Sequence, residues 1–453
     1  MSALFLVVFY YREQTIELYA GYHINYFVSI FFIIFWFIVL RLNDSIILNV
    51  VVLATSLLFG IYLIEMTINI RTVWVVTKLN GMFTFDQRKA STVLKEMRAH
   101  GEDVVLYVSP ADFIKNKVLS GDGTLYPLGG ISGQTTIFCD EGGKHRHYRS
   151  DRHGFNNPDT AWEAPETDWL LTGDSFTHGF CVDPGEDIAG QMRVATGESV
   201  LNLGSGGDGP LLELATLKEF AASHKPKRVI WLYFEGNDLS HDLPVEKSIP
   251  TLMNYLDPNF SQDLPHRQAE VDRKLERYVE QRIADESGSP PPEPSLARKI
   301  LFLQAVRTYL YGMYQQRVIV DPLFARILTA ARDRVAAWGG QLYFVYLPEW
   351  DRYKGIARDH DAYKKRREVI DLARGLHLPV IDIHQEVFLN YPDRFSLFPY
   401  YDLKTAHYNA KGYAAVAKAI VTAVQREEQG HPNQPPAAAV RPVVAGEKAA
   451  PPR

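Results

Sequence analysis

Asp168-Trp169-Leu170-Leu171-Thr172-Gly173-Asp174-Ser175-Phe176 is a short apolar run that ends in Gly-Asp-Ser. An apolar stretch of this length, closed by turn-forming residues, predicts a buried strand, and the Gly-Asp-Ser after it predicts a turn into a helix. A serine placed there has half of what a nucleophile requires. The start of a helix offers unpaired N–H groups and the positive end of its dipole to a developing oxyanion. The other half is a base to take the hydroxyl proton. Gly173 permits close backbone approach at the turn. A serine or aspartate that merely caps the helix is the plainer reading of the same residues, so the remaining chain has to supply the partners.

Three polar clusters follow in order. Val200 to Leu203 is a short apolar strand that runs into the Gly-rich loop Gly204 to Gly209. Val229 to Phe234 is a second buried-looking strand, and it ends in Gly236-Asn237-Asp238. Asp402-Leu403-Lys404-Thr405-Ala406-His407-Tyr408-Asn409 precedes the helical pattern Ala410 to Glu427. Each cluster, like Ser175, is expected just past a strand, where open α/β sheets place their sites. Between the second cluster and the third, helix 322–338, strand 341–347, helix 361–376 and strand 379–383 continue a βα alternation. That alternation predicts an α/β fold, a parallel sheet flanked by helices.

On these four clusters the chain resembles the SGNH (GDSL-type) hydrolase family, whose name comes from Ser, Gly, Asn and His in four sequence blocks. Ser175 in Gly-Asp-Ser-Phe matches the nucleophile block, Gly207 in Gly-Gly-Asp the oxyanion-hole glycine, Asn237 in Gly-Asn-Asp the oxyanion-hole asparagine and His407 in His-Tyr-Asn the base. The resemblance implies a flavodoxin-like sheet, an acyl-Ser175 intermediate and an oxyanion hole built from Ser175, Gly207 and Asn237. The family places an Asp three residues before its His; here that position is Lys404, and Asp402 is the best substitute. Two alternatives follow, a Ser-His dyad or a longer loop that brings Asp402 to the imidazole. Ser175 is not in a Gly-x-Ser-x-Gly setting, so the nucleophile elbow of α/β-hydrolases is not the model.

Two further apolar runs lie near the N-terminus, residues 24–42 and 46–64, separated by the polar Asn43 and Asp44. Each approaches the roughly 20 residues that span a bilayer, so the expected start of the chain, residues 1–70, is a two-helix transmembrane hairpin. The chain is then a multi-pass membrane protein, placed by its resemblance at a bacterial inner membrane. Arg12, Arg41, Arg71 and Lys78 are too few to decide which side carries the catalytic part. Residues 71–162 read as a juxtamembrane α/β lead-in with a helix at 86–100, a strand at 104–108 and a small hairpin at 126–139, and nothing in it looks catalytic. Residues 163–427 are the expected catalytic domain. Its charged insertion, about 247–315, reads as a solvated helical pair around Ser289-Pro290-Pro291-Pro292-Glu293-Pro294, with a lid as the alternative. The Pro- and Ala-rich residues 428–453 read as a disordered tail.

Other polar residues have plain readings. His178 is a surface or capping histidine, Asp174 and Asp238 fix turns, and residues 148–157 are either a polar turn or a substrate-contacting loop. Cys139 and Cys181 are the only cysteines, giving no disulfide framework and no metal-type spacing. A net charge of −5 without a basic cluster argues against nucleic acid, and the Gly204 to Gly209 loop lacks the lysine of a phosphate loop. No cofactor and no metal is implied. The partners expected are an ester substrate, namely an acylated carbohydrate, and the lipid bilayer. Three activities fit: an ester hydrolase, an O-acyltransferase using the same acyl-Ser175, and a non-catalytic component of polysaccharide assembly.

Overall fold

The computed structural model describes residues 30, 33–38, 41–82, 86, 88–115, 125–139, 143–287, 295–315, 318–353, 361–399 and 407–430. They fall into two compact units, one of residues 1–77 with 293–313, the other of residues 78–292 with 314–453.

The larger unit begins with a three-stranded sheet. β1 (Val104–Leu106) pairs in parallel with β2 (Thr135–Cys139), which pairs antiparallel with β3 (Arg146–Arg149). The hairpin is therefore 135–149, not 126–139. Within 126–139 the Gly129-Gly130 pair serves close packing: a Cβ on Gly129 would lie 2.2 Å from the His153 carbonyl oxygen. Around it Leu125, Tyr126, Leu128 and Ile131 are buried without strand pairing.

The second sheet has five parallel strands, β4 (Trp169–Gly173), β5 (Val200–Asn202), β6 (Arg228–Phe234), β7 (Gln341–Leu347) and β8 (Val380–Asp382), in the order β5-β4-β6-β7-β8. Every residue of β4 and six of seven in β6 are buried, as a sheet covered on both faces requires. Alternate residues feed opposite cores. Leu170, Val229, Trp231 and Tyr233 join the helices 210–220, 322–336 and 361–375, whereas Leu171, Ile230, Leu232 and Phe234 join helices 188–196 and 410–430. This is the expected flavodoxin-like α/β sheet. Its strand order reverses between β4 and β6, the place where such sheets open a crevice at their carboxyl ends.

The insertion is not a solvated pair. Helix Gln268–Ser287 buries Val271, Leu275, Val279 and Ile283, one stripe at four-residue spacing, in the main core. Its charges line the remaining faces, which is why the composition looked solvent-bound. Arg98 pairs with Glu280 at 2.8 Å, and Ser132 donates to Asp272 at 2.7 Å, so the helix packs on the lead-in.

In the smaller unit helix Asp44–Met82 carries a 29-residue stretch, Asp44–Thr72, of mean hydropathy 2.4. Among the described residues it is the one helix long and apolar enough to cross a membrane. Most of the other expected span, 24–42, lies outside the described residues, as does the tail from residue 431, and a multi-pass arrangement has no support among those described. Within the apolar stretch Glu65 is buried. Its carboxylate accepts the N–H groups of Ala305 at 2.9 Å and Val306 at 2.8 Å, the open start of helix Gln304–Gln315, and the Asn69 amide at 2.9 Å. Tyr62 donates to the Leu301 carbonyl at 3.0 Å. The insertion is thus divided: its first helices belong with the five-stranded sheet and residues 293–313 with the apolar helix.

Candidate active site

β4 delivers Ser175 by way of a tight turn. A Cβ on Gly173 would fall 2.1 Å from Thr177 Oγ1 and 2.8 Å from the Leu232 carbonyl oxygen, so the residue before the turn has room for no side chain. Asp174 then caps helix Ser175–His178, its Oδ1 accepting the Phe176 N–H at 2.9 Å. Ser175 is the first helical residue, and within 169–179 it is the only one not fully buried.

His407 meets it from 232 positions away: Nε2 lies 2.8 Å from Ser175 Oγ. The imidazole sits between the rings of Phe176 and Phe180, at 5.0 and 5.1 Å between centroids. Its neighbours in sequence hold it there. Tyr408 donates to the Pro348 carbonyl at 2.7 Å, while the Asn409 amide donates to the carbonyls of Ser396 and Phe398, each at 2.9 Å. Asn409 Oδ1 accepts the Gly412 N–H at 3.0 Å and so starts helix 410–430.

Gly207 and Asn237 follow β5 and β6, the two strands flanking β4. From 200 to 220 Gly207 is the only residue not fully buried, and Asn237 is likewise half-buried. The N–H groups of Ser175 and Gly207 and the Asn237 amide nitrogen carry no hydrogen bond among the described residues. Three donors without partners therefore stand at the carboxyl ends of three adjacent strands. Asn202 ties the Gly207 loop to the Ser175 helix, its Nδ2 donating to the Thr177 carbonyl at 2.7 Å and its Oδ1 accepting the Gly204 N–H at 2.9 Å. Asp402 and Lys404 lie among residues 400–406, outside the described residues.

Acids crowd behind these loops. Burial pushes Asp174 up to about 6, against the Phe176 N–H and the attraction of His407. Asp208, Glu213 and Asp238 are pushed well above the carboxylate range by burial and then by neighbouring carboxylates. Burial thus disfavours their charged forms behind these loops. Glu246, raised to about 7 by burial, accepts the Gly209 and Leu211 N–H groups at 2.7 and 2.8 Å and closes the far end of the loop.

Several sequence readings change. His178 is not a surface residue: it is 1% exposed, stacked on Phe138 at 5.4 Å, ringed by Tyr107, Tyr148 and Phe180, and held neutral by burial. A helix of four residues, three of them buried, offered no periodicity from which to read this. Residues 148–157 form a structural knot. Asp151 accepts the N–H groups of His153 and Phe155, the Asn157 amide and the Trp162 indole, and Asn157 reaches the Asn202 carbonyl at 2.8 Å. Glu235, unassigned from sequence, pairs with Arg352 and accepts the Glu349 N–H at 2.8 Å. Cys139 and Cys181 are disulfide-bonded, where none was expected. Among the described residues no group of His, Cys, Asp and Glu is placed to hold a metal ion.

No protein-family model and no curated protein matches this chain. Solved structures similar to parts of it include a protein of the G-D-S-L family from Desulfitobacterium hafniense DCB-2, assigned as lipolytic. That structure is 13% identical, with a TM-score of 0.32, over 57% of this chain and 99% of the other. A lipase/acylhydrolase from Enterococcus faecalis is 18% identical, with a TM-score of 0.32, over 59% of this chain and 98% of the other. A two-domain esterase active on acetylated mannans, crystallised with mannopentaose, is 14% identical, with a TM-score of 0.29, over 62% of this chain and 55% of the other. Likenesses this low carry nothing about activity, which has to be read from the site.

Proposed function

We propose that the chain is a membrane-anchored serine ester hydrolase of the SGNH type. The observation that carries this is the 2.8 Å contact between Ser175 Oγ and His407 Nε2 at the mouth of a parallel sheet, beside three donors with no partner among the described residues. In this reading His407 takes the Ser175 proton as Oγ attacks an ester carbonyl. The N–H groups of Ser175 and Gly207 and the Asn237 side chain hold the oxyanion. The adduct collapses as His407 returns the proton to the departing alcohol, leaving acyl-Ser175. A water, deprotonated in turn by His407, then releases the acid. Asp402 is proposed to orient the imidazole.

The carbohydrate part of the substrate comes from the resemblance to membrane-tethered members that modify polysaccharides. The disulfide supports an oxidising compartment for the catalytic unit, outside the cytoplasm. The test is turnover of a simple aryl acetate by the full chain in detergent, together with covalent labelling by a fluorophosphonate. Both should be lost in Ser175→Ala. Labelling that survives in Ser175→Ala, or an unlabelled wild type, would overturn the proposal. Turnover appearing only when a glycan acceptor is added would replace hydrolysis by transfer.

A further inference from the structure

We propose that Tyr107 and Ser109, just past β1 in the lead-in, are positioning residues that set the Gly206–Gly207 peptide of the oxyanion loop. The inference rests on the esterase reading above, and it assigns the lead-in a part in that reaction.

The geometry is that of one peptide plane gripped from one side. The Ser109 hydroxyl donates to the Gly206 carbonyl, and its oxygen accepts the Ala111 N–H at 3.1 Å. The Ser109 backbone N–H is itself anchored on Asp112 Oδ2 at 3.1 Å. In a trans peptide the C=O and the following N–H point in opposite directions. A carbonyl of Gly206 held towards Ser109 therefore turns the N–H of Gly207 away from the lead-in, and that N–H makes no bond among the described residues.

The neighbouring peptide is held as well. The Gly206 N–H donates to the Tyr107 hydroxyl at 2.6 Å, and that hydroxyl shares a 2.7 Å hydrogen bond with Ser205 Oγ. Burial keeps the Tyr107 phenol far above its ordinary range, so it stays a neutral partner at every working pH. Gly207 itself has φ of +79°, a conformation that side chains resist, and a Cβ there would lie 3.2 Å from Ala111 Cβ and 3.6 Å from Ser109 Oγ. The loop thus leans on the lead-in with no slack.

The same elements reach the base. The Tyr107 ring packs on His178 at 4.9 Å and Phe180 at 5.7 Å, and Phe180 packs on His407 at 5.1 Å. Contacts 97 and 98 residues apart in sequence join β1 to the loop, so a purely local role in folding of the lead-in would not need them.

The test compares Ser109→Ala, Ser109→Thr and Tyr107→Phe in the full chain, measuring kcat, KM and thermal midpoint. Loss of one oxyanion donor costs about 10² to 10³ in kcat, and a mis-set donor should cost about tenfold or more. The expected result is a kcat reduced at least about tenfold in Ser109→Ala and Tyr107→Phe, with KM within about twofold, and recovery of kcat in Ser109→Thr. Tyr107→Phe deletes one oxygen from an otherwise unchanged ring, so it separates positioning from folding. Wild-type kcat in both deletions, or a loss of kcat that follows the thermal midpoint and is not recovered by threonine, would overturn the inference while Ser175-dependent turnover stands. A wild type without Ser175-dependent turnover would remove the esterase reading and this inference together.

Discussion

Cys139, the last residue of β2, is disulfide-bonded to Cys181, three residues beyond the buried His178, across a sequence separation of 42. The bond fastens the lead-in to the segment that carries Phe180, and through it to the ring against His407. Closing a loop of this length contributes about 2 to 4 kcal/mol to stability. Cys139→Ser with Cys181→Ser should lower the denaturant midpoint accordingly and abolish its sensitivity to reductant. In cells, both thiols of the wild type should resist alkylation until the protein is reduced. Free thiols in freshly lysed cells would contradict the oxidising location.

Asn237→Ala should lower kcat by about 10² to 10³ with little change in KM, since the amide is needed where charge develops and not for ground-state binding. Steady-state kinetics on a small aryl ester decides it. A variant that keeps most of its turnover removes Asn237 from the oxyanion hole.

Asp402→Asn should reduce kcat by roughly 10² or more, because an amide favours the wrong imidazole tautomer and leaves the cation unsupported. Lys404→Ala, at the position where the family carries its acid, should stay within about threefold. Equal, small effects at both positions would leave a Ser175-His407 dyad.

Three buried acids should each make stability fall as pH rises from about 5 to 7. Asp151 and Asp174 are raised to about 6 and Glu246 to about 7, in each case chiefly by burial. Groups raised in the folded state contribute stability that is full below their unfolded values and lost as pH passes the folded ones. Asp159, Asp168 and Asp183, held below the ordinary range, act at more acidic pH, whereas His153, His178 and His384, lowered chiefly by burial, contribute in the opposite sense up to their ordinary value of 6.5. Glu246→Gln isolates one acid: measured against its own value at pH 5, the thermal midpoint at pH 7 should be higher in the variant than in the wild type. An identical pH dependence of the two would show that Glu246 ionises without cost.

Glu65→Ala should release residues 295–313 from the apolar helix. The carboxylate satisfies two backbone N–H groups at the start of helix 304–315, and hydrogen bonds to a charged group are worth about 1.5 to 3 kcal/mol each. Limited proteolysis in detergent should cut the variant within 295–313 well before the wild type. Unchanged cutting would mean that contacts other than the cap hold the segment.

Much of the central sheet was legible because its signals are local. β4, β6 and β7 are apolar on both faces and end in turn residues, and the order of Ser175, Gly207, Asn237 and His407 along the chain carries the resemblance by itself. The readings that failed depended on partners far away. Helix 268–287 hides a single buried stripe among charges, His178 owes its burial to rings from β2, β3 and the lead-in, and the glycine pair at 129–130 packs against residues 153 and 154.

By itself the sequence determined a parallel α/β sheet with candidate residues at its strand ends, since strand periodicity and turn chemistry act over a few residues. It also determined that an apolar segment precedes that sheet. Which groups meet was decided by the tertiary structure alone. Ser175 and His407 are 232 residues apart, and Ser109 and Gly206 are 97 apart. Pairings at such separations follow from how helices and strands pack, which no local pattern encodes. Ser175 was therefore visible as a candidate in nine residues, but its contact with His407, the nearby disulfide and the bond from Ser109 to the Gly206 carbonyl required the fold.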